Sequence, residues 1–370
     1  MKAGRTTDVF VIGGGPAGLA AAIAARQKGF RVTLADGAAR PIEKACGEGL
    51  MPEAVTALGE LGARIDSTDG AKVRGICFSQ AGARVSADFP RECGVGLRRV
   101  ALHERMVERA EECGVELLWR TPVTGIRGDA VSAADGQVRA KWIVGADGQR
   151  SLVRGWSGIA TTRLRWRHAS RRHYRLKPWS EYVEVHWGTR AQAYVTPVGA
   201  EEVCVVMLSS SREGAEFESA IGEFPEIEAR LARAELTSRE RGAITSMHSL
   251  REVHRGKVAL VGDASGSIDA ITGEGIRLGL RQATALAEAM VAGDLRLYAA
   301  AHKRLMERPA RMARLLLWLE RHAGIRRRAI CAMENRPELF ARLLALHIGE
   351  GSTADFFSTG ARLGWELLAT

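Results

Sequence analysis

The chain has 370 residues, 26% of them charged, and its 53 Lys and Arg outweigh 43 Asp and Glu to give a net charge of +10. That length buries a large core and holds two or three subdomains, and the composition is globular, with no run of about eighteen uncharged apolar residues to cross a membrane. No nucleic-acid motif accompanies the basic excess; anionic cofactors, an anionic substrate or a membrane surface explain it equally well, and no nucleic-acid partner is expected.

Met1–Thr7 leads straight into the first predicted strand and leaves no room for a signal peptide, so a cytoplasmic protein is expected. Val9–Ile12 is an apolar run suited to a buried parallel strand. Gly13-Gly14-Gly15-Pro16-Ala17-Gly18 follows at once and fits G-x-G-x-x-G. Leu19–Lys28 is Ala-rich and helical up to Gly29, and Arg31–Leu34 reads as a second strand with Asp36 just after it. The glycines permit a tight turn and close backbone approach to a pyrophosphate, and the acidic residue would hold ribose hydroxyls. The motif alone does not separate FAD from NAD.

Further along, Met51–Leu61 reads as a helix, Val73–Phe89 as a hairpin, Val100–Cys113 as an amphipathic helix and Val115–Trp119 as a strand. Val138–Val144 is a strand ending at Gly145-Ala146-Asp147-Gly148. Arg163–Leu208 is rich in strands and Phe217–Ala234 looks helical. Val258–Ala283 combines a short apolar strand, a turn carrying Asp263, a loop and a Gly-rich helix start at Thr272–Ile276. Such a helix start favours negative charge, beside a carboxylate suited to sugar hydroxyls. From Arg277 onward the chain is largely helical, with Pro309 and Pro337 as breaks. The order predicts an α/β fold: a nucleotide-binding Rossmann-like domain interrupted by an antiparallel β-sheet substrate domain, followed by C-terminal helices. The expected bounds are 1–72 with 99–160 and 250–290 for the first, 73–98 with 161–249 for the second, and 291–370 for the helices.

The six cysteines, Cys46, Cys77, Cys93, Cys113, Cys204 and Cys331, form no C-x-x-C pair, and the nine histidines form no H-E-x-x-H. A reduced protein without disulfides or a metal is expected.

Three separated signatures, Gly13–Gly18, Gly145–Arg154 (GADGQRSLVR) and Gly262–Ile276, together resemble the FAD-dependent group A monooxygenase superfamily of the para-hydroxybenzoate hydroxylase fold, which includes the geranylgeranyl reductases. The resemblance covers nearly the whole chain and implies an extended FAD. It assigns the pyrophosphate to Gly13, Gly15, Pro16, Ala17 and Gly18, and the adenosine ribose to Asp36. Arg99, in Arg-x-x-Leu, would contact the phosphate or ribityl region, and Val123 would line the adenine pocket. Asp147 would order a loop near the cofactor or cap a turn. Asp263 would bind the ribityl chain or phosphate. Gly273, Gly275 and Ile276 would form the helix start that presents N–H groups to the flavin. The loop Cys46-Gly47-Glu48-Gly49 resembles the Cys-Gly-Gly loop of geranylgeranyl reductases, so Cys46, Gly47 and Gly49 would touch the flavin.

The reaction is argued from the substrate side. Geranylgeranyl reductases carry Tyr-x-Trp-x-Phe-Pro where this chain has Gln192-Ala193-Tyr194-Val195-Thr196-Pro197, which keeps only the final Pro. This favours an NAD(P)H-dependent monooxygenase of an aromatic or polyketide-like substrate, with NAD(P)H binding transiently and Tyr194 and His173 as candidates for proton transfer. The alternatives are a prenyl reductase with a lipid-like substrate and a non-catalytic flavin-binding protein. Met306–Ile348 mixes Leu-rich faces with arginines. It reads as a bundle on the FAD domain with its arginines in water, in preference to an interfacial helix at a membrane.

Overall fold

The computed structural model describes residues 5–362 except 66–67, 135, 352–353, 356–357 and 361, and only the backbone of 163–164. Strand Arg5–Ile12 lies at the centre of the first sheet, parallel to Val32–Ala35 on one side and to Gly136–Gly145 on the other. Glu116–Leu118 extends the sheet beyond Val32–Ala35, and Val258–Leu260 extends it beyond Gly136–Gly145, both parallel. The register decides where the ligand crevice falls. Ile12 is level with Ala35 and with Gly145, and Gly145 is level with Leu260. The three sequence signatures therefore leave the sheet side by side at the carboxyl ends of its strands, where open α/β sheets bind ligands.

The second sheet runs Ala83–Asp88, Gly75–Gln80, Tyr182–Trp187, Gln192–Gly199, Glu202–Ser209, Thr161–Arg175, with Arg241–Leu250 on the far side of the long strand. It departs from the antiparallel expectation at one place: Tyr182–Trp187 pairs with Gly75–Gln80 in parallel. A small third sheet of Gly49–Leu50, Gly94–Gly96 and Ala71–Val73 carries the Cys46–Gly49 loop.

Helices Leu295–Arg321, Ala323–Asn335 and Pro337–Ile348 close the structure. Their apolar faces pack on the second sheet, where Met312, Leu316, Ile330, Met333, Phe340 and Leu344 share one cluster with Val85 and Trp187. Pro309 does not break the first of these helices, as its sequence suggests it should, but lies buried inside it. The missing N–H costs one rung, and packing along the rest of the 27 residues outweighs it. The predicted helix over Phe217–Ala234 is instead two short helices, Phe217–Ile221 and Pro225–Leu231, because Pro225 starts a new helix rather than continuing the old one.

Two histidines in this frame make stability pH-dependent. Burial pushes His302, whose Nε2 meets Ser265 Oγ at 2.9 Å, down to about 4. Burial, with Arg308 and Arg277 nearby, pushes His347 down to about 4 as well. In the unfolded chain both imidazoles titrate near pH 6.5. Between that pH and about 4 the unfolded state binds more protons, so stability falls as the pH drops through this window. Each histidine contributes roughly 3 kcal/mol to the loss. Thermal melts from neutral pH to pH 4 should show a steep fall in Tm, and His302→Phe should shallow it; an unchanged slope in the variant contradicts the assignment.

Candidate active site

A cavity of about 1170 Å³ runs from the strand ends of the first sheet to the C-terminal helices. That exceeds the usual range for one small ligand and leaves room for a dinucleotide and a second molecule.

At one end the cavity is polar and glycine-lined. Helix Pro16–Gln27 begins there with Gly15 at its N-cap and no side chain capping its free N–H groups. Gly13 has φ 113°, and a Cβ on it would meet Ala146 O at 2.5 Å. A Cβ on Gly18 would meet Gly13 O at 1.9 Å, so Gly18 packs helix against turn and does not line the cavity. Asp36 holds this turn, accepting the Gly14 N–H at 2.6 Å and the Ala38 N–H at 2.7 Å. Val123 lines the same end. His103, which sequence reasoning missed, bonds Gly14 O through Nε2 at 2.9 Å, and Trp119 packs against Gly14. Nothing marks His103 in the sequence, since it sits in a helix 89 residues away.

The middle of the cavity meets the third signature. Helix Gly275–Ala292 starts without a side-chain cap, and Gly273, Gly275 and Ile276 line the wall. Asp263 faces Lys44, whose Nζ lies 3.4 Å from Oδ2. Gln282 Oε1 accepts the Gly262 N–H at 2.8 Å and secures this turn. A buried glutamine on an otherwise apolar helix face is a signal that could have marked it. Asp147 lines the cavity, but its carboxylate is spent on Ser151 Oγ at 2.6 Å and the N–H groups of Leu152 and Val153, so it caps helix Leu152–Trp156.

The Cys46–Gly49 loop forms the opposite wall, with Cys46, Gly47 and Gly49 on the cavity surface. Thr196 Oγ1 bonds Gly47 O at 2.8 Å. Glu48 takes a left-handed backbone (φ 59°), a conformation that favours glycine. It is held there by ionic and hydrogen bonds: Oε1 accepts from the Arg99 N–H at 3.0 Å and Arg171 Nη1 at 2.9 Å, and Oε2 meets His173 Nε2 at 2.6 Å. Burial works against the Glu48 carboxylate, yet His173, the Arg99 N–H and Arg171 together hold its pKa below the ordinary range. His173 is thus fully buried beneath the loop, bonded on its other side to Ser238 Oγ at 2.7 Å, and is not part of the cavity wall. This placement corrects its expected role on the substrate side. Ligand atoms of Glu48, His173 and Cys204 come within 4.8 Å of one another, but the Arg171 guanidinium already supplies the cation there.

Beyond Tyr194 the wall turns apolar: Phe78, Val185 and Trp187 from the sheet face Met312, Ile330 and Phe340 from the helices. The Tyr194 hydroxyl donates to Gln192 Oε1 at 2.9 Å, and burial raises its pKa far above neutral, so it stays a phenol.

The glycine-lined end fits FAD. A Cβ at Gly15, Gly47, Gly273 or Gly275 meets nothing within 4 Å, although all four line the cavity, and Arg99 on the same wall keeps a buried Nε without a partner. Residues 6–296 match the family described as FAD binding domain. The chain belongs to this family, that of the group A flavoprotein monooxygenases, and is an FAD-dependent oxidoreductase. It is 29% identical over 324 residues to a menaquinone reductase of Mycobacterium tuberculosis, covering 80% of this chain and 79% of that protein. It is 29% identical over 301 residues to a digeranylgeranylglycerophospholipid reductase of Methanosarcina acetivorans, covering 73% and 71%. The fold is similar to that of the flavin-dependent brominase Bmp2, with a TM-score of 0.81 at 20% identity over 98% of this chain and 99% of that one.

Proposed function

We propose that this flavoenzyme reduces a double bond in a long isoprenoid chain. The observation that carries the reading is the apolar half of the cavity, where sheet and helices leave a chamber walled by Phe78, Trp187, Met312, Ile330 and Phe340. Such a chamber matches a hydrocarbon chain and gives little to orient a compact polar ring. Relatives named for a menaquinone and for a digeranylgeranyl lipid, both of which carry isoprenoid chains, support it. Bound FAD would supply the hydride chemistry. The protein's part is to hold the cofactor and exclude water. The free N–H groups after Gly15 would take the pyrophosphate, Asp36 the ribose and Asp263 the ribityl chain, and those of Gly275 and Ile276 would favour negative charge on the flavin. NAD(P)H serves as a transient reductant, since the chain has no second G-x-G-x-x-G motif.

The second reading is hydroxylation of an aromatic or polyketide-like substrate. Membership of the monooxygenase family favours it, as does the Tyr194 hydroxyl at the chamber entrance. The two readings differ in product mass. With reduced protein under anaerobic conditions, a polyprenyl quinone should keep a gain of two hydrogens per prenyl bond reduced after its quinol ring has been reoxidised in air. Oxygen uptake with gain of one oxygen, and no anaerobic product, would overturn the reductase in favour of the hydroxylase.

A further inference from the structure

The cavity opens to solvent through apolar residues that a water-facing mouth does not need. Leu152 is 62% exposed, Ile244 44% and Trp318 45%, and all three line the cavity. The surrounding contacts bring them to one rim. Arg167 Nη2 holds Glu320, two residues after Trp318, at 2.6 Å, and Arg167 pairs across strands with Thr245, next to Ile244. Thr245 Oγ1 in turn accepts from Gln149 Nε2 at 3.0 Å, three residues before Leu152. Trp318 is steadied by His322, whose ring stacks at 4.7 Å.

The exposed helix face beside this rim is mostly basic, with Glu307 also on it. Arg311, Arg314, Trp318 and Arg321 are spaced three, four and three residues apart, so they share one exposed face of helix Leu295–Arg321. Among the described residues, none of the three arginines has an ion-pair or hydrogen-bond partner. The other face of the same helix turns Met312 and Leu316 into the chamber. One helix therefore joins an unpaired cationic stripe with an exposed tryptophan to the wall of an apolar cavity. No helix of the described residues is long and apolar enough to cross a membrane.

We propose that the Arg311–Arg314–Trp318–Arg321 face docks on an anionic lipid bilayer, with Leu152 and Ile244 completing the contact, so that the cavity mouth opens into the membrane interface. Tryptophan sits at the level of the headgroups, arginines pair with their phosphates, and a hydrocarbon chain can then pass into the chamber without crossing water. The choice of substrate rests on the reductase reading, whereas the docking rests on the rim alone.

The test uses the full FAD-loaded chain and sedimentation with vesicles of phosphatidylglycerol and phosphatidylcholine. Binding should appear with the anionic mixture, weaken with salt, and fall away on pure phosphatidylcholine. Replacing the three arginines together (Arg311→Gln, Arg314→Gln, Arg321→Gln) should weaken binding by about 100-fold, at roughly fivefold per charge. Trp318→Ser should weaken it further, with FAD content and melting unchanged in both variants as the check on folding. Absence of vesicle binding, binding untouched by the triple variant, or binding to duplex DNA in place of vesicles would each overturn the proposal. A wild type that docks but reduces no prenyl chain, either from vesicles or from detergent micelles, sinks the reductase reading and leaves the docking standing. If the chain is reduced, the triple variant should lose turnover from vesicles and keep it from micelles.

Discussion

Gly15→Val abolishes stable FAD binding while the protein still folds. Gly15 has φ −70° and ψ 175°, an extended backbone that valine adopts readily. Its added Cβ meets no atom within 4 Å, so the branch point of the new side chain clashes with nothing in the chain itself. The methyl groups instead fill the space over the uncapped N-terminus of helix Pro16–Gln27, where the pyrophosphate must approach the free N–H groups. Losing that approach should weaken FAD by at least about 1000-fold, equivalent to roughly 4 kcal/mol. Absorbance of the purified variant and titration with FAD measure this directly, and circular dichroism reports the fold. Retention of wild-type affinity would falsify the proposed pyrophosphate site. Gly18→Ala makes the contrast, because its Cβ would meet Gly13 O at 1.9 Å and must disturb the turn as well as the cofactor.

Arg167→Met destabilises the protein by about 3–5 kcal/mol, the usual cost of leaving a buried charge without its partner. Side chains of Arg167 and Asp269 are 3% and 1% exposed, with Nη1 3.3 Å from Oδ1, and the same guanidinium holds Glu320 through two bonds of 3.2 and 2.6 Å. It thereby joins the long strand of the second sheet, the turn before Thr272 and the end of helix Leu295–Arg321. Asp269 also caps the short turn Ala270–Thr272 through the Ile271 N–H at 3.1 Å. Removing Arg167 strands that carboxylate beside the loop leading to Gly275, so weaker FAD binding should accompany the lost stability. Denaturant unfolding measures the first effect and FAD titration the second. A loss below about 1 kcal/mol, the level of an exposed pair, would show that solvent reaches Asp269 after all.

The glycine turn was legible because its chemistry is local. Glycine spacing, an apolar strand before it and a carboxylate after it all fall between Val9 and Asp36, and each states its own requirement. The Glu48 site was not legible. Its partners Arg171 and His173 lie 123 and 125 residues away, in a run of basic residues that no local pattern ties to the loop. Alternation along Thr161–Arg175 places Arg167, Arg171 and His173 on one face, where they turn inward to Asp269, Glu43 and Glu48, and Arg172 on the other, where it meets the more exposed Glu218 and Glu240. The sequence pattern displays the alternation but not which face is buried. Asp147 was open between ordering a loop and capping a turn, and its bonds to the N-cap Ser151 and to the first two N–H groups of the next helix show the cap.

The amino-acid sequence by itself therefore determined the nucleotide-binding half, since short-range backbone geometry and the period of apolar residues prescribe its strands, turns and helix starts. Only the tertiary structure decided the substrate half. The chamber exists because helices near the end of the chain fold back over a sheet built from residues 75–250, and its shape is a property of their packing. The rim is likewise a meeting of Leu152, Ile244 and Trp318 from three distant segments. Contacts of that separation arise from packing of whole elements, which no local pattern encodes.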